Sequence, residues 1–279
     1  MTPFEHMYNK DRMISLTNSC NLSCGGCNQF CGHFKPDKIW FVTAKEFESY
    51  VLKLKKTAWM GDDRRIFLFG GEPTINPHLA EILKVCDKFK RLTFILQTNG
   101  YKDVDVPDNV DVWCDPKDPA HESRGYLQTG IAPIDLFPNK DKRFYFNMAQ
   151  KHCNIWQRAE CGPIIYNKKA YFCQVAAAMD NVFNDQKFGW SLKDDPFKNN
   201  LEQQADRFCY RCAWAMGVFA PAFPHHPIPP QFIGEPFIVT STNKALSRSR
   251  CIHFCKKCKK FGDAPCKNKG CIVLPMVGC

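Results

Sequence analysis

The chain has 279 residues, of which 44% are hydrophobic and 24% charged, with a formal net charge of +10. These values are typical of a soluble globular protein with one large domain or two smaller ones, and they exclude extensive disorder. The first residues contain neither a basic nor an apolar segment, so we expect no signal peptide. The longest uncharged segment, 212–233, contains five prolines and does not suit a membrane helix. We therefore expect a cytoplasmic protein that does not bind membranes.

Hydrophobic periodicity predicts alternating strands and helices over the first 114 residues. The predicted elements are a strand at 12–18, a helix at 44–56 behind a capping box of Thr43 and Glu46, a strand at 66–69, a helix at 77–89, and strands at 92–97 and 110–114. A strand at 143–148 and a hairpin of 162–166 and 169–173 follow. This order predicts an α/β fold with a parallel sheet, whose ligands bind at the carboxyl ends of the strands.

The 17 cysteines are clustered along the chain. They make up a smaller fraction than the ~8–10% that marks a short disulfide scaffold. In a chain without an export signal, clustered cysteines favour metal binding over disulfides. Cys86 and Cys114 stand apart from the clusters, one on the apolar face of a predicted helix and one at the end of a predicted strand. We expect both to be small buried hydrophobic residues.

Three motifs follow three successive predicted strands. Cys20, Cys24 and Cys27 lie on one loop after the first strand, residues 70–73 (Gly-Gly-Glu-Pro) follow the second, and residues 98–100 (Thr-Asn-Gly) follow the third. Three thiolates suit a 4Fe–4S cluster and leave one iron open for a small ligand. In this order, the motifs resemble the cluster loop, the GGE motif and the further cofactor contacts of the radical SAM superfamily.

The resemblance implies a partial, truncated TIM-like (β/α) barrel and an enzyme that uses S-adenosylmethionine (SAM). The open iron would chelate SAM, and one electron from the cluster would cleave it to methionine and a 5′-deoxyadenosyl radical that abstracts hydrogen from a substrate. A reductant such as flavodoxin or ferredoxin would supply the electron. Backbone carbonyls at the two glycines would approach the SAM ammonium, and Glu72 would shape that pocket. The implied cofactor-binding residues are Gly70, Gly71, Glu72, Thr98 and Asn99.

Two features depart from the family pattern. Gly26 stands where the family usually has an aromatic residue, and Phe30 or Phe34 could cover the cofactor instead. With Cys31, the cysteine spacing becomes ferredoxin-like, so the Cys31 thiolate could ligate the fourth iron and leave no iron open for SAM. We favour the open iron because residues 70–73 would otherwise lack a role. A structural zinc ion at the loop is a further alternative.

A second group of cysteines follows the predicted core. Cys161 precedes the predicted hairpin, Cys173 ends it, and Cys209 and Cys212 form a clip of two thiolates. Four thiolates complete a zinc site or a 4Fe–4S cluster. The layout resembles the twitch or SPASM region that follows many radical SAM cores, and it favours a single auxiliary cluster. Cys153 fits the family spacing better than Cys161, so the choice between these two stays open.

Segment 244–279 is both basic and rich in cysteine. Nine lysines and arginines against one aspartate give it +8 of the net charge. The segment offers enough ligands for a zinc ion or a third cluster, with Cys271, His253 and Cys279 as further candidates beside the predicted set of Cys251, Cys255, Cys258 and Cys266. Clustered basic residues are typical of a nucleic-acid-binding surface, but lysines also offset the charge of a thiolate–metal site. Both interpretations stay open.

These features predict four regions: a radical SAM core at 1–150, a twitch-like region at 151–220, a proline-rich linker at 221–243 and the basic tail at 244–279. The basic tail favours a nucleic-acid base or nucleotide as the substrate. The first alternative is a radical SAM enzyme that modifies a peptide or small metabolite. The second is a non-catalytic iron–sulfur or zinc protein that binds nucleic acid.

Overall fold

The computed structural model of the chain describes only part of its length. The described residues are 11–22, 27–31, 34–56, 65–114, 140–153, 162, 164–193, 201–212, 252–255, 260–262 and 271–274. None of the helices in this part of the chain is both long and apolar enough to cross a membrane.

Strands and helices alternate through most of the described chain. In order, the elements are β1 (Arg12–Thr17), α1 (Ala44–Lys56), β2 (Arg65–Gly70), α2 (Leu79–Lys88), β3 (Thr93–Thr98), β4 (Val110–Cys114), α3 (Lys142–His152), β5 (Ile164–Tyr166), β6 (Lys169–Tyr171), α4 (Gln174–Phe183), β7 (Trp190–Ser191), α5 (Leu201–Phe208), β8 (Ile252–Cys255), β9 (Lys260–Gly262) and β10 (Cys271–Leu274). Short 3-10 turns follow β2 at Pro73–Ile75 and α5 at Cys209–Arg211.

One mixed sheet has the strand order β4-β3-β2-β1-β5-β6-β7. The strands from β4 to β5 pair in parallel, whereas β6 pairs antiparallel with both β5 and β7. Consecutive β/α units build the β1 to β4 part, in agreement with the predicted partial TIM-like fold. The carboxyl ends of the parallel strands therefore lie at one edge of the sheet, where the three sequence motifs are predicted to meet.

Helices pack against both faces of the sheet. On one face, α1 and α2 pack their apolar side chains, among them Phe47, Leu54 and Ile82, against β1, β2 and β3. On the other face, α4 and α5 cover β5 and β6 in a second core. Because side chains alternate along a strand, Ile165 joins the first core while Tyr166 joins the second.

Two local predictions are confirmed in detail. The Thr43 amide donates to Glu46 Oε2 at 3.0 Å and the Glu46 amide donates to Thr43 Oγ1 at 3.3 Å, so the capping box forms. The predicted hairpin is β5 and β6, and its turn residues Asn167 and Lys168 have φ angles of 44° and 67°. Two positive φ angles fit the tight two-residue turn that matches the twist of paired strands.

Two other predictions are wrong. The predicted strand at 143–148 is part of helix α3, whose N-terminus is capped by Asp141 accepting from the Phe144 amide at 2.8 Å. Cys86 is fully buried in the first core as expected, but Cys114 is exposed. Cys114 ends β4, the last strand in the order of its sheet, so its side chain has fewer neighbours than that of a central strand.

We expect Thr43→Ala to lower the free energy of unfolding by about 1 kcal/mol, because it removes the side chain that caps α1. Urea denaturation would measure the change. The matched control is Lys45→Ala, an exposed position in the same helical turn, which should change stability by less than about 0.5 kcal/mol. An equal loss in both variants would contradict the capping role.

Candidate metal and cofactor site

The end of β2 lies directly against the backbone that leads from β1 into the cysteine loop. The Gly71 amide donates to Thr17 O at 2.9 Å, and the Glu72 amide donates to Ser19 O at 2.8 Å. A Cβ at Gly70 would lie 2.3 Å from Thr17 O, and one at Gly71 would lie 2.0 Å from Ser19 O. Gly70 also has a φ of +151°, which a side chain disfavours. Both glycines are therefore needed for the close approach of these two segments.

Glu72 is completely buried and joins the end of β2 to the end of β3. Its Oε1 accepts from Thr74 N at 2.9 Å, from Thr74 Oγ1 at 2.7 Å and from Thr98 Oγ1 at 2.7 Å. Its Oε2 accepts from the Asn99 amide at 2.7 Å. Groups of the chain itself thus occupy both carboxylate oxygens. Glu72 shapes the site by holding neighbouring segments in position.

Asn99 extends this network to the cysteine loop. Its Nδ2 donates to Asn21 Oδ1 at 3.0 Å and lies 3.8 Å from Cys20 Sγ. The Leu22 amide lies 3.4 Å from the same sulfur. The structure therefore brings the three sequence motifs together at one edge of the sheet.

The thiols of Cys20 and Cys27 each form a hydrogen bond with Cys31. The bond from Cys31 lowers the pKa of Cys20. The same kind of bond, helped by the backbone amides of Cys31, Gln29 and Phe30, lowers the pKa of Cys27 to about 7 despite its burial. These hydrogen bonds, together with burial, raise the pKa of Cys31 well above its ordinary value. Because the thiolate is the form that binds metal, Cys20 and Cys27 are suited to hold iron.

Cys24 lies outside the described residues, so the predicted set of three thiols is only partly visible. Cys31 forms one hydrogen bond with Cys20 and another with Cys27. Within the described ranges, no group of three or more His, Cys, Asp or Glu side chains has the arrangement of a metal site. The fit to an iron–sulfur cluster thus comes from the donor chemistry, since soft thiolates on one loop suit such clusters.

Phe30 lies in the protein interior. Its side chain is 1% exposed and packs edge-on against Phe183, with ring centroids 5.8 Å apart. Its φ is 54°, and its amide donates to Cys27 O at 3.0 Å, which closes the turn that carries the third cysteine. Phe30 therefore anchors the cysteine loop to the second core.

A second group of thiols lies where α3, α4 and α5 meet. Cys153 directly follows α3, and Cys173 directly precedes α4. Cys209 is the first residue of the 3-10 turn after α5, and Cys212 directly follows that turn. Burial raises the pKa of Cys209 well above its ordinary value, and the negative charges of Cys212, Cys153 and Cys173 add to this effect. Thiols in such an environment ionise together only when a cation binds them.

The predicted ligand Cys161 lies outside the described residues, whereas Cys153 is near Cys209. The rings of Tyr145 on α3 and Tyr210 in the 3-10 turn have centroids 5.8 Å apart, so these two elements pack together. The position of Cys153 therefore depends on tertiary packing.

The basic tail contributes a separate three-stranded sheet in the order β10-β8-β9. Cys255 on β8 is in register with Cys271 on β10. The other predicted ligands, Cys251, Cys258 and Cys266, lie outside the described residues. Cys271 is also among the candidate ligands that the sequence of the tail offers, and its register with Cys255 is a property of strand pairing that local sequence does not predict.

A hydrogen bond that the sequence does not predict connects the two thiol groups. Gln29, between Cys27 and Cys31, donates from Nε2 to Gln174 Oε1 at 3.3 Å. Gln174 directly follows Cys173. No local sequence signal predicts a contact between residues 145 positions apart.

Residues 14–116 match the Radical SAM superfamily. The match covers β1 to β4 and all three motifs, although it is less than half of the chain. This part of the chain is therefore a radical SAM domain, as the motifs predict.

A Methanocaldococcus jannaschii protein, provisionally named a glycyl-radical enzyme activating enzyme, is 29% identical to this chain over 107 residues. These residues are 38% of this chain and 38% of that relative, so the chain spans well under half the length of the curated relative it matches. The solved structure of Streptococcus suis SuiB bound to precursor peptide SuiA shares 15% identity and covers 50% of this chain and 30% of SuiB, with a TM-score of 0.29. A TM-score this low carries no structural argument.

We expect Glu72→Gln to lower the free energy of unfolding by about 1–3 kcal/mol, because an amide NH2 group would face donors that now meet a carboxylate oxygen. Urea denaturation of the cluster-free protein would measure this. Glu81→Gln, on an exposed position of α2, is the matched control and should be nearly neutral. Equal stability of the two variants would contradict the role given to Glu72.

Proposed function

We propose that this protein is a radical SAM enzyme that binds a 4Fe–4S cluster and SAM at the carboxyl ends of β1, β2 and β3. The observation that carries the proposal is the convergence of the three motifs. Glu72 joins the segment after β2 to Asn99, and Asn99 reaches the sulfur of Cys20. The superfamily match over residues 14–116 supports the same assignment.

In this proposal, Cys20, Cys24 and Cys27 ligate the cluster. The residues that form the SAM pocket are Gly70, Gly71, Glu72, Thr98 and Asn99. When bound, the cluster and SAM supply the one-electron chemistry that forms a 5′-deoxyadenosyl radical. The amides around Cys27 stabilise its thiolate, and the donors near Cys20 orient that sulfur. Glu72 and the two glycines hold the three segments at fixed positions before SAM binds. A flavodoxin or ferredoxin would supply the electron.

We expect 5′-deoxyadenosine to form when the protein is reconstituted anaerobically with iron and sulfide and then given SAM and dithionite. Cys24→Ala should abolish both the cluster and the product, because it removes a ligand. The matched variant Cys31→Ala should retain both the cluster and the product, since Cys31 is not a cluster ligand in this proposal. If wild-type protein with a verified cluster forms no 5′-deoxyadenosine, the proposal that it is an enzyme is contradicted, and metal binding is the function that stays. Loss of the cluster in Cys31→Ala would contradict the proposed ligand set.

For the substrate, we propose a nucleic-acid base or nucleotide, because the tail carries +8 of the net charge. The second candidate is a peptide, a protein or a small metabolite. The relative provisionally named an activating enzyme for a glycyl-radical enzyme favours a protein.

The same reconstituted enzyme separates these candidates when DNA or RNA is added. A nucleic-acid substrate should increase the yield of 5′-deoxyadenosine, and rising salt should suppress the increase because phosphate contacts are screened. A yield that is indifferent to nucleic acid would contradict the first candidate and favour the second.

We propose further that the second thiol group holds an auxiliary 4Fe–4S cluster of the twitch type. Cys173, Cys209 and Cys212 are ligands, and the nearness of Cys153 to Cys209 favours Cys153 over Cys161 as the fourth. Four thiolates complete such a cluster. We also propose the four regions that the sequence predicts. In the basic tail, we propose a zinc ion or a third cluster, with the ligands Cys251, Cys255, Cys258 and Cys266.

We expect Cys153→Ala to lower the iron and sulfide content from roughly eight to roughly four per chain, given two four-iron clusters. Cys161→Ala is the matched control and should leave the content unchanged. Chemical iron and sulfide assays after reconstitution would measure both variants. The reverse pattern would show that Cys161 is the ligand, and about four irons in the wild type would contradict the auxiliary cluster.

A further inference from the structure

The hydroxyl group of Tyr166 is buried without a hydrogen-bond partner beside the cysteine loop. Tyr166 is the last residue of β5, which pairs with β1, the strand that leads into that loop. Its side chain has no exposed surface, and its oxygen has no hydrogen-bond partner among the residues that the structure describes. By contrast, the hydroxyl of Tyr171 on β6 donates to Asp180 at 3.0 Å. The chain thus provides a hydrogen-bond acceptor for the Tyr171 hydroxyl but not, among the described residues, for the Tyr166 hydroxyl.

Two thiols of the cysteine loop, Cys31 and Cys27, lie close enough to Tyr166 to act on its hydroxyl electrostatically. Burial raises the pKa of Tyr166 well above its ordinary value, and the negative charges of Cys31 and Cys27 add to this effect. The hydroxyl thus keeps its proton and is available as a donor. The titratable groups that act on Tyr166 are Cys31 and Cys27 of the cysteine loop and the neighbouring Tyr171.

Aromatic neighbours fix the direction of the Tyr166 ring. Its centroid lies 5.2 Å from Trp40, 6.5 Å from Phe69 and 6.5 Å from Tyr171, and the Trp40 and Tyr171 rings meet it edge-on. A clamped ring cannot turn its hydroxyl towards solvent. A buried hydroxyl without a partner destabilises a protein because it loses its hydrogen bonds to water and gains none in return. An acceptor that arrives with a bound group would remove this cost.

We infer that Tyr166 donates its hydroxyl hydrogen to a sulfur of the iron–sulfur cluster held by the cysteine loop, an inference that rests on the proposed function. Hydrogen bonds to the sulfurs are among the factors that set the reduction potential of a cluster. A donor stabilises the more negative, reduced form, so Tyr166 raises the potential at which the cluster accepts an electron. Tyr166 thereby adjusts how readily the cluster is reduced for SAM cleavage.

The test is Tyr166→Phe, which removes only the oxygen atom. In the cluster-free protein we expect a higher melting temperature than in the wild type, because the unsatisfied hydroxyl is gone. In the reconstituted protein we expect unchanged iron content and a shift of the reduction potential to a more negative value. A redox titration followed by electron paramagnetic resonance (EPR) would measure the potential.

Tyr171→Phe is the matched control, and it should differ from Tyr166→Phe in both measurements. It removes a satisfied hydrogen bond to Asp180, so the cluster-free protein should melt at a lower temperature while the potential stays the same. An unchanged potential in Tyr166→Phe, or destabilisation of its cluster-free form, would overturn the inference while leaving the proposed function intact. Failure of the wild type to bind a cluster would overturn both.

Discussion

The buried carboxylate of Glu72 binds the end of β2 to the end of β3, and the two glycines before it bring β2 against the backbone that enters the cysteine loop. A Cβ at either glycine would overlap a carbonyl oxygen of residues 17–19. Segments from three strands thus hold fixed positions relative to one another before any ligand binds. A cofactor that needs several contacts at once requires this kind of preorganised scaffold.

The thiolates of the two thiol groups differ in stability. The Cys27 thiolate accepts hydrogen bonds from Cys31 and from backbone amides, so it is stabilised without a metal. Burial and the negative charges of neighbouring thiols destabilise the Cys209 thiolate, and a bound cation would offset both effects. The hydrogen bond between Gln29 and Gln174 places the two groups side by side in one core.

Local features of this fold are predictable from sequence because their causes are local. The capping box of Thr43 and the turn at Asn167 each depend on a few neighbouring residues, and both form as predicted. The three motifs meet because each follows a parallel strand, and parallel strands end at one edge. At 143–148 an aromatic-rich run favours a strand by composition, but the cap at Asp141 starts a helix.

Features that depend on tertiary contacts are not predictable in this way. Cys114 is exposed because β4 ends the strand order of its sheet, and strand order is a property of the whole fold. The nearness of Cys153 to Cys209 depends on how α3 packs against the turn after α5. The unsatisfied hydroxyl of Tyr166 depends on side chains from several elements.

An iron left open for SAM beside the Glu72 network is the feature on which the proposed chemistry depends. The most direct measurement is electron–nuclear double resonance on the reduced, reconstituted protein with SAM that carries nitrogen-15 in its amino group. We expect a coupling between the cluster and the labelled nitrogen, because the amino group binds the open iron. An intact cluster with an EPR signal unchanged by SAM and no such coupling would contradict this, and would show that a fourth thiolate such as Cys31 closes the site.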